Sequence, residues 1–306
     1  MSTISFPGLG IGEFSINSTA FTVFGIEIQW YALIILFGMI LAIFYAYTRS
    51  KVEVICADDL LDITLFAVIF GIIGARAYYV LTTLSTGRYN SFFDVINIRG
   101  GGLAIYGAVI AGAASVYLTC RLKKIKWQKA FDMAAPACMI GQIVGRWGNF
   151  ANGEAFGSIV TSDHPLYFLR MGLHSHVTES TFGTSQMYYV HPTFLYESVW
   201  NLIGFVIIHL LYKKKKFDGQ VVLMYFTWYG FGRMFIEGLR TDSLYLFSSW
   251  LGETVRISQL IGFLCFVLGL AGLIVCFVLA SKGKLEKPVI SDFKFGKKSN
   301  AESDQK

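Results

Sequence analysis

Charge is what this chain has least of: 15% of its 306 residues are charged, and they fall in short clusters between long uncharged runs. With a hydrophobic fraction of 54%, that pattern excludes an ordinary soluble domain and fits a protein whose loops are wet and whose helices are not. Alternation over about ten residues, the mark of a membrane β-barrel strand, is missing because the apolar runs are continuous. The five cysteines, Cys56, Cys120, Cys138, Cys265 and Cys276, have no C-x-x-C spacing and lie in or beside apolar runs, so neither a disulfide framework nor a metal is implied. His164, His174 and His176 lack zinc-ligand spacing, and no cofactor motif is present. The first residues carry no basic n-region, so a cleavable signal peptide is not expected. Nor is there an inverted or tandem repeat of the kind many transporters show. A net charge of +6 invites a nucleic-acid reading, but the basic residues follow membrane topology instead.

What the chain does have is seven apolar runs, at about 28–47, 59–81, 103–120, 130–148, 192–212, 221–239 and 257–280. Twenty residues of helix span roughly 30 Å, the thickness of a hydrocarbon core. The fold class is therefore an all-α integral membrane protein, a seven-helix transmembrane bundle forming a single membrane domain over residues 1–280. The segment 1–27 lacks a long apolar run and suits β structure. With the outer loops, chiefly 149–190, it makes a small extracytoplasmic portion. Residues 281–306 read as a disordered tail. All sixteen lysines lie in the loops after runs one, three and five or in that tail. By the positive-inside rule those segments are cytoplasmic and the N-terminus is outside.

Three arginines interrupt the runs: Arg76, Arg146 and Arg233, each in the outer half or at the outer edge of its helix. A guanidinium keeps its proton and offers a fork of donors matched to phosphate, so three on one side favour an anion site over separate structural pairings. On the sixth run Tyr229, Arg233, Glu237 and Arg240 fall at i, i+4, i+8 and i+11, one polar stripe that must face the bundle interior. An Arg233/Glu237 pair could also simply pin helices together. On the fourth, Arg146 and Asn149 share a face, and Gly148 and Gly153 are expected to let the chain leave the helix before Asn152, Glu154 and Gly157. Gly141-xxx-Gly145 fits close helix packing equally well. The run Gly100 to Gly102 precedes a helix N-terminus, where free amides suit phosphate. His191, before Pro192, is either a capping residue or an acid/base group at the depth of Arg146. Glu197 lies inside the fifth run and needs an interior partner.

With these residues in hand, the chain resembles the bacterial prolipoprotein diacylglyceryl transferase family. The most specific match is Gly145-Arg-Trp-Gly-Asn-Phe-Ala-Asn-Gly-Glu154 with Gly157 behind it. The segments Arg99 to Gly107, His191-Pro-Thr-Phe-Leu-Tyr-Glu197 and Tyr229 to Arg240 follow in the family's order. The resemblance implies a bacterial cytoplasmic-membrane enzyme without a cofactor. Its partners are phosphatidylglycerol and the lipobox cysteine of a prolipoprotein signal peptide, and it forms a thioether and releases glycerol phosphate. It implies catalytic roles for Arg146, Arg233, His191 and Glu154, and substrate contacts for Arg146, Asn149, Gly157, Tyr31, Tyr229, Glu237, Arg240 and Tyr106. Many members have histidine where this chain has Tyr106. A phenol with a reference pKa near 10 is a poor base at neutral pH, so Tyr106 is not read as the base and that role stays unassigned. Two other classes remain open: a transporter of anionic lipid or solute, which would place charge near mid-membrane, and a non-catalytic assembly protein using the stripe as scaffolding.

Overall fold

The computed structural model describes residues 1–84, 89, 91–98, 101–243, 255–291 and 293. Arg99, Gly100, Glu253 with most of its loop, and most of the expected disordered tail lie outside the described residues.

Seven helices of 18 residues or more occur among the described residues, and each overlies one of the apolar runs. They are α1 (Trp30–Glu53), α2 (Ala57–Thr83), α4 (Ile105–Leu122), α5 (Trp127–Asn152), α7 (Thr193–Leu211), α8 (Gln220–Leu239) and α9 (Ile257–Ser281). Two short helices, α3 (Phe92–Ile96) and α6 (His176–Phe182), sit in loops and begin with Ser91 and Ser175 as N-caps. Five of the long helices, α1, α2, α4, α7 and α9, are long and apolar enough to cross a membrane. The other two, α5 and α8, are the ones carrying Arg146 and the Arg233/Glu237 stripe. Polar and glycine residues there dilute the hydropathy while leaving the length intact.

The all-α expectation needs one correction. Six strands are described, four of them in an antiparallel sheet of order β2-β1-β5-β6: β1 Ser2–Phe6, β2 Ile11–Ile16, β5 Met171–His174 and β6 Tyr188–Val190. The sheet joins the N-terminal segment to the 149–190 stretch, with Ile4 opposite both Phe14 and Leu173. Its apolar face closes over Ile4, Phe6, Phe156, Met171, Leu173, Val190 and Phe194, so burial on one face explains why these segments pair. The remaining two strands, β3 (Thr19–Val23) and β4 (Ile26–Gln29), form a hairpin of their own leading into α1.

A second correction concerns Gly148. The α5 helix runs through it to Asn152, and the break comes at Gly153, where φ is +62°, followed by Ala155 at +55°. Gly148 is needed for a different reason. A Cβ there would lie 2.8 Å from the ring of Tyr31 on α1, so the glycine is a seat for that tyrosine and not a hinge.

The chain divides into two compact units, with the boundaries inside α1 and α5. In the unit made of Met1–Phe44 and Ala135–Lys287, α7 and α8 are joined by a reciprocal pair of tryptophans. Trp200 Nε1 donates to the Trp228 carbonyl at 3.1 Å, Trp228 Nε1 to the Trp200 carbonyl at 2.9 Å, and the rings stack 4.3 Å apart. Both indole N–H groups are thereby satisfied in an apolar setting, where an unmade bond is expensive.

In the unit made of Tyr45–Ala134 and Pro288–Lys306, α2 packs on α4 through small residues. A Cβ on Gly107 would stand 2.2 Å from the carbonyl oxygen of Gly74, and one on Gly74 2.6 Å from that of Gly107. At one end Lys123 reaches both Asp59 (2.8 Å) and Asp62 (2.6 Å). The first part of the tail is held here as well, since Ser291 N donates to the Val52 carbonyl and Lys129 Nζ to the Val289 carbonyl. Gly107→Ala must force two backbones apart and should cost about 1–3 kcal/mol. In detergent its thermal midpoint should drop by several degrees, whereas Gly112→Ala, whose Cβ would meet the Ala67 carbonyl at an ordinary 3.6 Å, should change it little. Equal midpoints for the two would show that the close approach carries no stability.

Candidate active site

Three helices converge on one buried carboxylate. Glu197, on the second turn of α7, is 3% exposed, and its two oxygens are claimed by arginines from different helices. Arg146 Nη2 of α5 donates to Oε1 at 2.5 Å, and Arg233 Nη1 of α8 donates to Oε2 at 3.0 Å. Arg233 Nη2 also pairs with Glu237 Oε2 at 2.6 Å, one turn further along α8. Glu237 is itself buried, and its backbone carbonyl accepts a bond from Arg256 Nη1 at the start of α9. These are charge-assisted contacts in a desolvated setting, where a pair is strong only while both partners stay.

The network continues along α5. Arg146 Nη1 donates to Asn149 Oδ1 at 3.3 Å, and Asn149 Nδ2 donates onward to Glu154 Oε1 at 3.0 Å. Asn152 Nδ2 reaches the same oxygen at 3.3 Å. The positive φ values at Gly153 and Ala155 turn the chain back so that Glu154, just past the helix, faces its last turn; Glu154 N bonds the Asn149 carbonyl at 3.1 Å. An unbroken polar path therefore runs Glu154, Asn149, Arg146, Glu197, Arg233, Glu237. A guanidinium has five N–H donors. Arg146 uses two of them in hydrogen bonds to Asn149 and Glu197, and Arg233 uses one on Glu197 while its Nη2 lies in an ion pair with Glu237.

Backbone pairing fixes the ends of the helices that carry these groups. Gly157 N donates to the His191 carbonyl at 2.9 Å and His191 N to the Ser158 carbonyl at 3.1 Å, while Ser158 N donates to the Leu239 carbonyl at 2.8 Å. Gly157 also bridges Arg240. The segment after Glu154 thus ties the entry of α7 to the exit of α8. A Cβ on Gly157 would lie 2.7 Å from the His191 Cβ, so this position admits glycine for lack of room.

His191 does not cap α7, whose N-cap is Pro192 without a side-chain bond. Its imidazole is buried, with Nδ1 3.2 Å from the Tyr196 hydroxyl and its ring 4.7 Å from that of His164. Burial pushes its pKa below the ordinary value and His164 adds to the effect, so the ring is neutral at pH 7. Arg240 makes a two-toothed pair with Asp242, at 2.9 and 2.7 Å. Tyr229 stacks on Tyr225, whose hydroxyl accepts a bond from Gln142 at 2.9 Å.

Two of the expected site residues belong to the other unit. Tyr106 belongs to the other unit, where its ring lies beside Tyr78. Arg76 is in that unit too, and its guanidinium is spent on backbone carbonyls: Val95 (2.7 Å), Asp94 (2.6 Å), Gly101 (2.9 Å) and Gly102 (3.1 Å). Gly101 and Gly102, at φ +83° and +81°, thus turn their carbonyls toward a cation. Sequence reasoning gave Glu197 no role beyond needing a partner and overlooked Asp242, Tyr196 and the packing of His164 on His191. The signal for Glu197 was its charge one turn inside an apolar run.

The structure is thus that of a mostly helical chain with several helices long and apolar enough to cross a membrane, in which two partly buried arginines from different helices share one buried carboxylate. The chain belongs to the prolipoprotein diacylglyceryl transferase family. The family model of that description matches residues 18–275. A phosphatidylglycerol–prolipoprotein diacylglyceryl transferase of Enterococcus faecalis is 41% identical over 265 residues, covering 85% of this chain and 90% of its own. Similar relatives of that name occur in Clostridium perfringens, 37% identical over 276 residues (89% and 97%), and Finegoldia magna, 39% identical over 254 residues (83% and 93%).

Glu197→Ala would remove the buried carboxylate that two partly buried guanidinium groups share, a loss of up to about 3–5 kcal/mol. Its unfolding midpoint should fall sharply, with Glu197→Gln falling less because an amide oxygen still accepts one bond; wild-type stability in Glu197→Ala would show that the pair is not structural. His191 titrates below its unfolded value of about 6.5, so its contribution to stability is present above that pH and lost as pH falls through the imidazole range. Between pH 7.5 and about 5.5 the wild type should therefore lose more stability than His191→Asn. Parallel pH curves would refute a depressed imidazole.

Proposed function

We propose that this chain transfers the diacylglyceryl group of phosphatidylglycerol to the lipobox cysteine of a prolipoprotein, and that Arg146 and Arg233 hold the phosphate that departs. The observation that carries this reading is the convergence of the two arginines, from α5 and α8, on the buried carboxylate of Glu197.

In the reaction the cysteine sulfur attacks the glycerol carbon bearing the phosphate ester, a C–S bond forms and the C–O bond breaks. The electron pair leaves on a phosphate oxygen as glycerol phosphate, and the thiol proton passes to a base. The phosphate gains charge as the bond breaks, so fixed cations beside it in a low-dielectric site favour the transition state over the ground state. Glu197 holds the two forks in place before lipid enters, sparing the cost of arranging them during the reaction. Asn149 and Glu154 steady Arg146 from one side, and Glu237 steadies Arg233 from the other. Tyr31, Tyr229, Gly157 and Arg240 complete the lipid-binding wall. His191, kept neutral, is able to accept a proton.

All seven long helices cross the bacterial cytoplasmic membrane in this reading, as a single membrane domain over residues 1–280 with a cytoplasmic tail. Lysine placement supports an outer N-terminus and an inner C-terminus. The arginine site then opens toward the outer leaflet, the side on which a secreted precursor presents its cysteine.

Purified protein supplied with phosphatidylglycerol and a lipobox peptide should release glycerol phosphate only when the peptide is present. No release from folded protein would overturn the transferase reading. Arg146→Lys and Arg233→Lys should each lose on the order of 100-fold or more in turnover, the size of effect seen when one donor to a developing anion is removed, because a point charge cannot replace the fork. Tyr106→Phe should keep most of its turnover, and a collapse there would make its hydroxyl the base.

A further inference from the structure

The β3–β4 hairpin is a two-sided object with one side bare. The register sets Val23 opposite Ile26 and Phe21 opposite Ile28, with Thr22 opposite Glu27 between them. Side chains of paired residues share a face and successive residues alternate, so Phe21, Val23, Ile26 and Ile28 form one apolar face. The other face is polar and bonded within itself: Thr19 Oγ1 donates to Glu27 Oε2 at 3.0 Å, and Gln29 Nε2 to Thr19 Oγ1 at 3.3 Å. Phe21, Val23 and Ile26 are 50%, 43% and 64% exposed. Among the described residues no third strand joins this sheet.

The tip is the least expected part. Phe24 and Gly25 form a two-residue turn with φ of +48° and +79°, the geometry for which Asn-Gly is the favoured pair. A bulky aromatic residue is disfavoured in that left-handed region. Here it is also fully exposed, the position where an apolar ring is least favourable. The cost of exposure vanishes if the ring is buried by something outside the chain, and that gain offsets the backbone strain, which remains.

We infer that the hairpin lies in the bilayer interface, apolar face and Phe24 toward the acyl chains and the Thr19/Glu27/Gln29 face toward water, at the leaflet where α1 begins. Continuity selects lipid as the occupant. β4 ends at Gln29, and α1, long and apolar enough to cross a membrane, starts at Trp30 with Tyr31 beside it, two residues typical of the headgroup level. No residue between the end of the hairpin and the helix allows the hairpin to stand far from that surface. Glu27 is the only charge from Thr19 to Gln29, so the attachment is hydrophobic and not a response to anionic lipid.

Full-length Phe24→Trp and Thr22→Trp, each reconstituted in phosphatidylcholine/phosphatidylglycerol nanodiscs, separate the two faces once the wild-type emission from six tryptophans is subtracted. Tryptophan at 24 should emit to the blue, be quenched by phospholipids brominated on their acyl chains and be protected from aqueous iodide. Tryptophan at 22 should show the reverse, and the result at 24 should persist in phosphatidylcholine alone. If Phe24→Trp does not fold, Ile26→Trp reports the same face. Iodide quenching at 24 or 26 equal to that at 22 would overturn the inference. So would protection that depends on protein-to-lipid ratio, which means a second copy covers the face, or that appears only with lipobox peptide or only with anionic lipid. Turnover is not the readout, so failure here leaves the transferase reading standing.

Discussion

The sharing of Glu197 between Arg146 and Arg233 is the constraint on which the rest of the arrangement depends. Two partly buried guanidinium groups gather favourably only around an anion, and a buried carboxylate cannot stay charged without cations. Each group is therefore the reason the others are tolerated. Because the three sit on α5, α7 and α8, the ion cluster also fixes the relative rotation of those helices. The reciprocal Trp200–Trp228 bonds do the same for α7 and α8 from an apolar part of their contact.

The second layer of the site is backbone. Gly157, Ser158, His191 and Leu239 exchange main-chain hydrogen bonds, so the exit of α5, the entry of α7 and the exit of α8 are held by groups that do not depend on side-chain rotamers. The four-stranded sheet stands behind this junction, since its core includes Phe156 from the segment after α5 and Phe194 from the first turn of α7. A cluster of charges mounted on such rigid pieces keeps its geometry.

Much of this was legible in the chain. The seven runs are visible as stretches of about twenty apolar residues, and each overlies one of the long helices. The stripe Tyr229, Arg233, Glu237, Arg240 is visible because helical periodicity is fixed. Less legible was which arginine serves which purpose. Arg76 is a lone cation in its apolar helix, and its donors go to four carbonyls of the stretch before α4. Backbone carbonyls leave no residue-type signature, so the partners of Arg76 could not be read from the sequence, whereas Glu237, one turn from Arg233, could. Gly148 was likewise ambiguous, since a glycine that ends a helix and one that seats a tyrosine ring are written with the same letter.

The sequence by itself determined the solvent each segment prefers, the lysine asymmetry, and the residue types able to hold an anion, because these follow from local composition and the period of the helix. Only the tertiary structure decided that Glu197 is the centre, that Asn149 relays Arg146 to Glu154, and that Arg240 is matched by Asp242. The physical reason is distance along the chain: Arg146 and Glu197 are 51 residues apart and Glu197 and Arg233 are 36. Pairings of that kind are set by how helices pack, which no local pattern encodes.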